Sequence, residues 1–389
     1  MKLMDLRDFL TASTDLLAYG EPTHLEPAFG RIRNELFAEL AEHGFRSIAL
    51  ETDRVAALAV DDFVREGTGS IENVMRDGFS HTFGTLDANR QLVAWMREYN
   101  KTRPPAERLA FHGFDAPTET MSAPSPRRYL EHARDYLGLD VDIATPAGDD
   151  VRWSRTEAVM DATMSVGATA DADRLRVLAD DMLTVLHARA PELMATTSRA
   201  AWYRARIHLT AGIGLLRYHK QATERVEEAT RVSRMCAVRD VIMAQNLLDI
   251  REFEGGRGPT LVFSQNRHLQ RNRSHMSFGP MDIVWFSAGA IVAALAGERY
   301  TFVAGSLGRS AAIDLGEPEE GTYEAALQRR VDGWGLVAPG EVAPARVRTD
   351  TTPPQGYFPL DQEILDAADA VLHVTEGDVA RATAPRSPA

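Results

Sequence analysis

The sequence predicts an α/β protein with a mostly parallel central sheet, flanking helices and a large helical insertion. Short apolar runs alternate with amphipathic helical patterns toward both ends of the chain, which is typical of strands joined by crossover helices. Between these parts, residues 124–254 show helical periodicity and no strand pattern. The length of 389 residues is enough for one large domain that carries such an insertion.

We therefore divide the chain into four parts. Residues 1–123 form the first part of the α/β core, residues 124–254 the helical insertion or cap, and residues 255–380 the second part of the core; residues 381–389 are expected to be a disordered tail. The cluster GGRGP at residues 255–259 supports the end of the insertion, because glycine and proline terminate helices.

The composition is that of a soluble globular protein. Hydrophobic residues make up 44% and charged residues 25% of the chain, and the formal net charge is -13. This acidic balance disfavours nucleic acid and anionic membranes as partners, and no apolar run is long enough to cross a bilayer. Acidic residues near the start and a lone Cys236 predict a cytoplasmic protein without a signal peptide or a disulfide framework.

The first predicted strand, residues 16–19, leads into a turn with Glu21 and His24 and then into an amphipathic helix over residues 28–43. This turn lies at the carboxyl edge, where open α/β sheets bind ligands. A carboxylate beside an imidazole raises its basicity and fixes its tautomer, so the pair is a candidate general base. The alternative is a Thr23 helix cap beside an incidental surface histidine.

A second predicted strand, residues 47–50, is followed directly by Glu51 and Asp53. We expect the two strands to be neighbours joined by a βαβ crossover, which brings Glu51 and Glu21 to one rim of the sheet. Arg33 lies near the start of the intervening helix, so we expect it close to both carboxylates. Asp53 is a candidate for binding substrate hydroxyls or, alternatively, for capping the next helix.

The loop at residues 78–84 holds His81 between two phenylalanines. It is predicted either to line a substrate cleft or to be anchored in the core. A third strand over residues 109–112 ends at His112, with Asp115 at its exit. All three polar residues are candidates for substrate binding, with a core hydrogen bond for His112 and a helix cap for Asp115 as the alternatives.

The insertion is predicted to be a layered set of helices. Its periodicity indicates helices at about residues 153–166, 170–190, 191–220 and 221–252. One of them carries an apolar stripe that includes Trp202 and Tyr203. Core packing is the favoured interpretation of this stripe, and contact with an apolar substrate is the alternative.

A fourth strand over residues 260–263 places further polar residues at the same edge of the sheet. His268 is a candidate catalytic residue, and Gln265 and Asn266 are candidates for substrate binding. After this strand we predict a loop at residues 270–279, a helix at 284–297, a strand at 300–303, a turn at 305–308 and a last strand at 370–374.

Taken together, these segments resemble the erythromycin esterase-like family. The likeness is carried, in the family's order, by GEPTH at 20–24 with Arg33, GFRSIALE at 44–51, FHGFD at 111–115, MAQNL at 243–247 and NRH at 266–268. It covers most of residues 15–310, and the turn centred on His24 is its most specific part. The resemblance implies an α/β core with helical embellishment around a deep cleft, and hydrolysis of macrolide lactones without a required metal.

The resemblance also implies roles for particular residues. His24 corresponds to the family's general base, which activates a water, and Glu21 and Glu51 match the supporting carboxylates. Arg33 matches the active-site arginine, and His268 matches the second histidine of a late motif. A base with a pKa near neutrality is what water activation at an ester requires, and Arg33 or His268 can then stabilise an oxyanion.

One position departs from the family pattern, because Gln265 stands where the late motif has its first histidine. An amide forms hydrogen bonds but does not shuttle a proton as an imidazole does. The leading hypothesis is a hydrolase that opens an ester or lactone of a bulky, mostly apolar natural product, such as a macrolide antibiotic. The alternatives are a non-hydrolytic tailoring enzyme (cyclisation, elimination or isomerisation) of natural-product biosynthesis and a ligand-binding or sequestration protein.

We expect no cofactor and no metal. Histidines and carboxylates such as His24, His268 and Glu51 are common metal ligands, so a metal site is an alternative. Against it, the sequence has no helical His-Glu-x-x-His signature, and the resemblance implies none. The expected partner is a bulky apolar small molecule, and the sequence does not determine an oligomeric state.

Overall fold

The structure is a computed structural model that describes residues 5, 8, 10, 11 and 13–377, so the tail predicted at 381–389 lies outside the described residues. The strands, in chain order, are β1 (Leu16–Glu21), β2 (Ser47–Asp53), β3 (Ala110–Asp115), β4 (Thr260–Gln265), β5 (Arg273–Phe278), β6 (Met281–Phe286), β7 (Tyr300–Arg309), β8 (Trp334–Val337) and β9 (Ala370–Glu376).

Within this part of the chain, the main sheet has the strand order β3-β2-β4-β1-β7-β9-β8. Its pairs are parallel, apart from β8, which runs antiparallel to β9. Strands β5 and β6 form a separate antiparallel hairpin. The predicted α/β class with a mostly parallel central sheet is confirmed.

Helices cover both faces of the sheet and fill the region between β3 and β4. They are α1 (Pro27–Glu42), α2 (Ala57–Glu66), α3 (Ile71–Asp77), α4 (Asp87–Lys101), α5 (Arg127–Leu137), α6 (Ala144–Ala147), α7 (Val151–Ser154), α8 (Thr156–Met160), α9 (Ala170–Ala188), α10 (Ala190–Thr196), α11 (Arg199–Ala222), α12 (Glu228–Glu254), α13 (Asn266–Leu269), α14 (Ala288–Ala296), α15 (Tyr323–Gln328) and α16 (Gln362–Ala367).

Two apolar cores cover the two faces of the sheet, as the alternation of side chains along a strand requires. On β1, Leu17 and Tyr19 belong to the core that contains α1, α2 and α4, whereas Leu16 and Ala18 belong to the core that contains α12 and α14. Each of these four side chains is at most 1% exposed. Burial on both faces gives β1 the continuous apolar run that predicts it from sequence.

The strand order differs from prediction at one important place, because β4 lies between β1 and β2. Leu16 of β1 and Ser47 of β2 both pair in register with Thr260 of β4. The expectation that β1 and β2 are direct neighbours was therefore wrong. An apolar run shows that a strand is buried, but it does not show which strand enters the sheet beside it. The carboxyl ends of β1, β4 and β2 still share one edge.

Several local predictions were also wrong after β4 and in the insertion. Residues 270–279, predicted as a loop, contain β5, and Gly279 with a φ of 59° makes the turn into β6. The helix predicted from residue 284 begins at Ala288, because residues 281–286 are β6. The turn predicted at 305–308 lies inside β7, and the helix predicted at 153–166 is replaced by α7, α8 and turns.

The helices α5 to α12 lie between β3 and β4 and have a core of their own. Trp202 and Tyr203 of α11 are buried in it, so the apolar stripe packs in the core, as the favoured interpretation had it. Cys236 on α12 is half-buried. The division of the chain into two core parts and an insertion stays a prediction. Among the described residues, no helix is both long and apolar enough to span a membrane.

Asn266, the first residue of α13, joins the carboxyl ends of the central strands. Its side-chain amide donates to the Gly305 carbonyl at 2.8 Å and accepts from the Gly305 amide at 2.9 Å. Gly20 at the end of β1 packs directly against this side chain. A Cβ atom built at Gly20 lies 2.1 Å from the Asn266 side-chain oxygen. The edge of the sheet therefore requires a residue without a side chain at position 20.

We predict that Gly20→Ala destabilises the protein by about 1–3 kcal/mol, because the added methyl group must displace the Asn266 amide from both of its hydrogen bonds. Chemical denaturation measures the change. Gly316→Ala is the control, since a Cβ there meets no atom within 4 Å, and its effect should stay within about 0.5 kcal/mol. Equal stability of Gly20→Ala and the wild type would contradict the predicted clash.

Candidate active site

A cleft of about 450 Å³ opens at the carboxyl ends of β1, β2 and β4. Its polar wall contains the predicted site residues Glu21, His24, Arg33 and Glu51. The remaining wall is mostly apolar or aromatic, with contributions from Leu50, Phe79, Phe83, Leu86 and Phe263. A concave, largely apolar site with a few convergent polar groups is typical of small-molecule binding.

His24 lies between two carboxylates at the wall of this cleft. Its Nδ1 is 2.7 Å from Glu21 Oε1, and its Nε2 is 3.6 Å from Glu51 Oε2. Burial lowers the pKa of His24, but the charge of Glu51 and the hydrogen bond and charge of Glu21 outweigh it and raise the pKa to about 9. The imidazole ring remains 27% exposed, so it is accessible from the cleft.

Glu51, at the end of β2, is the centre of the polar cluster. Oε2 accepts a hydrogen bond from the Ser264 hydroxyl and from the Gln265 backbone amide at 3.3 Å. Burial acts to raise the pKa of Glu51, but the charges of His268, His24 and Arg239 and the Ser264 hydrogen bond hold the pKa well below its usual range. Glu51 is therefore a buried carboxylate in its ionised form.

Arg239 on α12 connects Glu51 to Asp115 at the end of β3. Its Nη2 is 3.0 Å from Glu51 Oε1 and 2.6 Å from Asp115 Oδ2, and its Nε donates to Asp115 Oδ1 at 3.0 Å. Burial acts against its charge, but the two carboxylates raise the pKa of Arg239 well above its ordinary value. The same guanidinium lowers the pKa of Asp115 against the effect of burial.

His268 on α13 lies on the far side of Glu51 from His24. Its Nδ1 is 3.0 Å from Asp240 Oδ1, and its Nε2 is 3.5 Å from Glu51 Oε1. Burial lowers the pKa of His268, but Asp240 and Glu51 raise it above its ordinary value overall. Asp240 is itself held by the Trp285 indole N–H at 3.0 Å. The structure therefore brings His24 and His268 to the same carboxylate.

His81 forms a second histidine and carboxylate group next to Arg239. Its Nε2 is 2.9 Å from Asp115 Oδ2, and its Nδ1 is 2.9 Å from Glu119 Oε2. The backbone at His81 is left-handed, with a φ of 54°, and Thr82 follows with a φ of 60°. Such strain in residues with side chains is found where the surrounding structure enforces it, often near functional sites.

Arg33 is a buried cation in the cleft wall, and no carboxylate in the described part of the chain forms a hydrogen bond with it. Its guanidinium donates to the Asn89 side-chain oxygen at 2.8 Å and to the Asn34 side-chain oxygen at 2.8 Å. It also lies over the Phe263 ring, 4.9 Å from the centroid. Burial lowers the pKa of Arg33 to about 10, although Glu21 opposes this shift. Its partners are neutral amides, so its positive charge stays available to the cleft.

Other predicted site residues lie outside the cleft wall. The Asp53 carboxylate accepts from the amides of Val55 and Ala56 at 2.7 and 3.3 Å and so closes the turn before α2, whose N-cap residue is Ala56 and not Asp53. The His112 ring donates from Nε2 to the Glu254 carboxylate at the end of α12, at 2.8 Å. The position of His112 in the middle of β3 keeps it from the carboxyl edge.

Three further residues predicted to bind substrate, Asp115, Asn266 and Gln265, also lie outside the cleft wall. Asp115 is fully buried, and its oxygens contact Arg239, His81 and the backbone. Both polar groups of the Asn266 side chain are used by Gly305. Gln265 contributes its backbone amide to Glu51, and its side chain has no hydrogen bond to another described residue.

Sequence reasoning missed Arg239, Asp240, Ser264 and Glu119. Asp240 had a usable signal, because it shares a helical face with the buried Met243, Ala244 and Leu247 at three, four and seven residues' distance. A carboxylate on a buried face needs a partner. Ser264 and Glu119 have no comparable signal, since only tertiary contacts bring them to Glu51 and His81.

The residue types of the cluster are those of many metal sites, but their arrangement is different. Across the described ranges, no group of three or more His, Cys, Asp or Glu side chains converges as a metal site would. Each histidine nitrogen in the cluster faces a carboxylate or Arg239. Such pairs belong to acid–base chemistry or to charge compensation.

The family model for erythromycin esterase matches residues 40–387 of this chain. The chain belongs to the erythromycin esterase family. The matched residues include Glu51, Arg239 and His268 and begin after the His24 turn. None of the curated proteins matches the chain.

Three solved structures share the fold of this erythromycin esterase family member over nearly its whole length. A His-to-Asn mutant of the erythromycin esterase EreC in its open conformation is 18% identical with a TM-score of 0.67, covering 95% of this chain and 92% of that one. A Bacillus cereus protein is 15% identical with a TM-score of 0.66, covering 94% and 89%. A succinoglycan biosynthesis protein is 13% identical with a TM-score of 0.66, covering 94% and 88%.

We predict that Arg239→Met destabilises this erythromycin esterase family member by about 3–5 kcal/mol near neutral pH, because it leaves Glu51 and Asp115 as buried charges without their shared cation. Both carboxylates have lowered pKa values in the folded protein, so the wild type loses this stability as the pH falls. In the variant their pKa values rise and they protonate more readily. The difference between variant and wild type should therefore shrink on acidification.

Denaturation midpoints at several pH values measure this effect. Arg76→Met is the matched control, because its ion pair with Asp77 is 66% and 59% exposed, and its cost should be within about 0.5 kcal/mol at every pH. A constant difference between Arg239→Met and the wild type over the whole pH range would show that the carboxylates are not the cause.

Proposed function

We propose that the protein is a hydrolase that opens an ester or lactone bond in a bulky, mostly apolar natural product of the macrolide or polyketide type. Membership of the erythromycin esterase family supports hydrolase-type chemistry. The observation that carries the proposal is the position of His24, which joins Glu21 and approaches Glu51 at the polar wall of the cleft. The apolar remainder of the wall suits a bulky apolar substrate.

In the proposed mechanism, His24 Nε2 takes a proton from the attacking water. Glu21 accepts the hydrogen bond from Nδ1, which fixes the tautomer and leaves Nε2 as the basic nitrogen in the neutral ring. Glu51, 3.6 Å from Nε2, stabilises the imidazolium that forms and can hold the same water. The proton then passes from the imidazolium to the leaving alkoxide.

Arg33 is proposed to stabilise the oxyanion of the tetrahedral intermediate. It lines the same cleft as His24, and its hydrogen bonds go to the amide oxygens of Asn34 and Asn89. A fixed cation in a low-dielectric wall stabilises developing negative charge without reorganisation. His268 is less suited to this part of the reaction, because it is buried between Asp240 and Glu51.

A non-hydrolytic reaction is the second candidate, and Gln265 favours it. The resemblance places a histidine of the family's late motif at this position, so one proton shuttle is missing. Cyclisation, elimination or isomerisation during natural-product biosynthesis can proceed with a single base and needs no attacking water. The same His24 base and apolar cleft would serve such a tailoring enzyme.

We expect His24→Asn to lower kcat/KM on the best substrate about 100- to 10,000-fold, the usual contribution of a general base. A panel of macrolides and polyketide lactones, followed by mass analysis, identifies the substrate. Hydrolysis adds the mass of water to the product, whereas isomerisation leaves the mass unchanged. His43→Asn is the matched control, because His43 is exposed at the end of α1 and its ring bonds to the Glu39 carbonyl, away from the cleft.

Full activity of His24→Asn would remove His24 as the base. A product without added water supports the tailoring reaction instead. Saturable binding without any change in ligand mass, over long incubation, supports sequestration. Because His24 performs the proton transfer in this mechanism, activity should also survive dialysis against a chelator. If dialysis abolished the activity and zinc restored it, the metal-independent role of His24 would be contradicted.

The pH dependence follows from the electrostatics of His24. Its pKa of about 9 means that the basic, neutral form grows as the pH rises, so kcat/KM should increase with pH and level off above about pH 9. Glu21→Gln keeps a hydrogen-bond acceptor for Nδ1 but removes a charge that favours the imidazolium. It should therefore lower the midpoint of the profile by roughly 1–3 pH units.

Glu72→Gln is the control for this profile, since Glu72 is exposed and pairs with Arg90 on the surface. Its midpoint should match the wild type. A midpoint in Glu21→Gln that is equal to or higher than that of the wild type would show that Glu21 does not set the basicity of His24.

A further inference from the structure

A second cavity, of about 360 Å³, adjoins α13 and the segment at residues 358–364. It shares no lining residue with the cleft at His24. The Phe358 amide donates to the Pro22 carbonyl at 3.0 Å, so this segment packs beside the His24 turn. The residues that matter for its chemistry are Arg267, Gln270, Arg273, Phe358, Asp361 and Glu363.

Arg267 gives this cavity an unpaired cation. Its guanidinium lies 3.6 Å from the centroid of the Phe358 ring, and it forms no ion pair or side-chain hydrogen bond with any other described residue. Nε and Nη1 are buried without a partner. Burial lowers the pKa of Arg267 to about 10, and the charge of Asp361 only partly opposes this. A half-buried guanidinium of this kind favours an anion.

The cavity also holds an unpaired acceptor. Gln270 donates through its side-chain nitrogen to the Arg273 carbonyl at 2.9 Å, but its side-chain oxygen is buried and accepts no hydrogen bond from any described residue. An anion satisfies the donors of Arg267 but not this oxygen, which needs an N–H or O–H group. A ligand with both an anionic group and a hydroxyl group satisfies both sets of atoms.

Two acids in the wall limit the charge that the cavity accepts. Asp361 caps α16 by accepting from the Ile364 amide at 2.8 Å, and Glu363 is exposed. Neither forms an ion pair with Arg267. Arg273, another lining residue, adds positive charge. The balance favours an anion of low charge over a highly charged one.

We propose that this cavity is a binding site for a small hydroxylated anion, with its carboxylate or phosphate on Arg267 and its hydroxyl on Gln270. The site is separate from the cleft, but it adjoins the His268 site through α13. Asn266, Arg267 and His268 are consecutive residues of one short helix, bonded to Gly305, stacked on Phe358 and paired with Asp240. The proposal concerns binding alone and does not rest on the proposed reaction.

Calorimetric titration of the full-length protein with lactate and with glycerol 3-phosphate, at constant ionic strength, tests the site and distinguishes carboxylate from phosphate. We expect saturable binding of at least one probe, weakened about tenfold or more in Arg267→Met, since a charge-assisted hydrogen bond is lost. Arg346→Met removes an exposed arginine that pairs with Glu319 and should bind as the wild type does.

Asp361→Asn is an independent test of the site. Asparagine also caps helices, so the variant removes the competing negative charge and keeps the cap of α16. It should tighten binding of the same probe. Arg267→Lys, which keeps the charge but not the planar donors, replaces Arg267→Met if that variant does not fold, and should weaken binding. No saturable binding of either probe, binding unchanged in the Arg267 variant, or weaker binding in Asp361→Asn would each overturn the proposal.

Discussion

The buried Glu51 carboxylate is the constraint on which the polar centre depends. A carboxylate at this depth is stable as an ion only when cations and donors surround it. Arg239, His24 and His268 approach it from three directions, and Ser264 donates to it from the next strand. Each of these groups is in turn held by another acid or by the backbone. The charges of the cluster therefore depend on one another, and we expect the loss of one member to affect the others.

The sheet topology explains how this cluster forms. Strands β1, β4 and β2 are adjacent and parallel, so their carboxyl ends deliver Glu21, Ser264 and Glu51 to one edge. Helix α12 crosses this edge and adds Arg239, which reaches Glu51 and Asp115 together. The helices between β3 and β4 thus supply a cation that the strands lack. The apolar cleft lies on one side of His24, while the partners of His268 lie on the other.

The charge distribution divides the site into two environments. On the inner side, hydrogen-bonded carboxylates neutralise Arg239 and His268 and hold these two side chains in position. On the cleft side, Arg33 is bonded to amides and His24 remains partly exposed, which suits contact with a substrate. Fixed charges of this kind are costly to folding, and they are concentrated at functional sites of proteins.

The sequence by itself determined the fold class, the buried strands β1, β2, β3 and β4, and the acids and histidines at their ends, because burial on both faces leaves a continuous apolar run. It did not determine that β4 separates β1 from β2, since the strand order of the sheet depends on segments distant along the chain. It also did not show the strand in 270–279, because this segment is rich in Arg, Asn and Ser and, among the described strands, pairs only with the neighbouring β6. Tertiary structure alone decided that Arg239 joins Glu51 to Asp115, that Asn266 bonds to Gly305, and that the Arg267 guanidinium has no ion pair or hydrogen bond to another described residue. Such contacts join residues with no shared periodicity, so no local pattern encodes them.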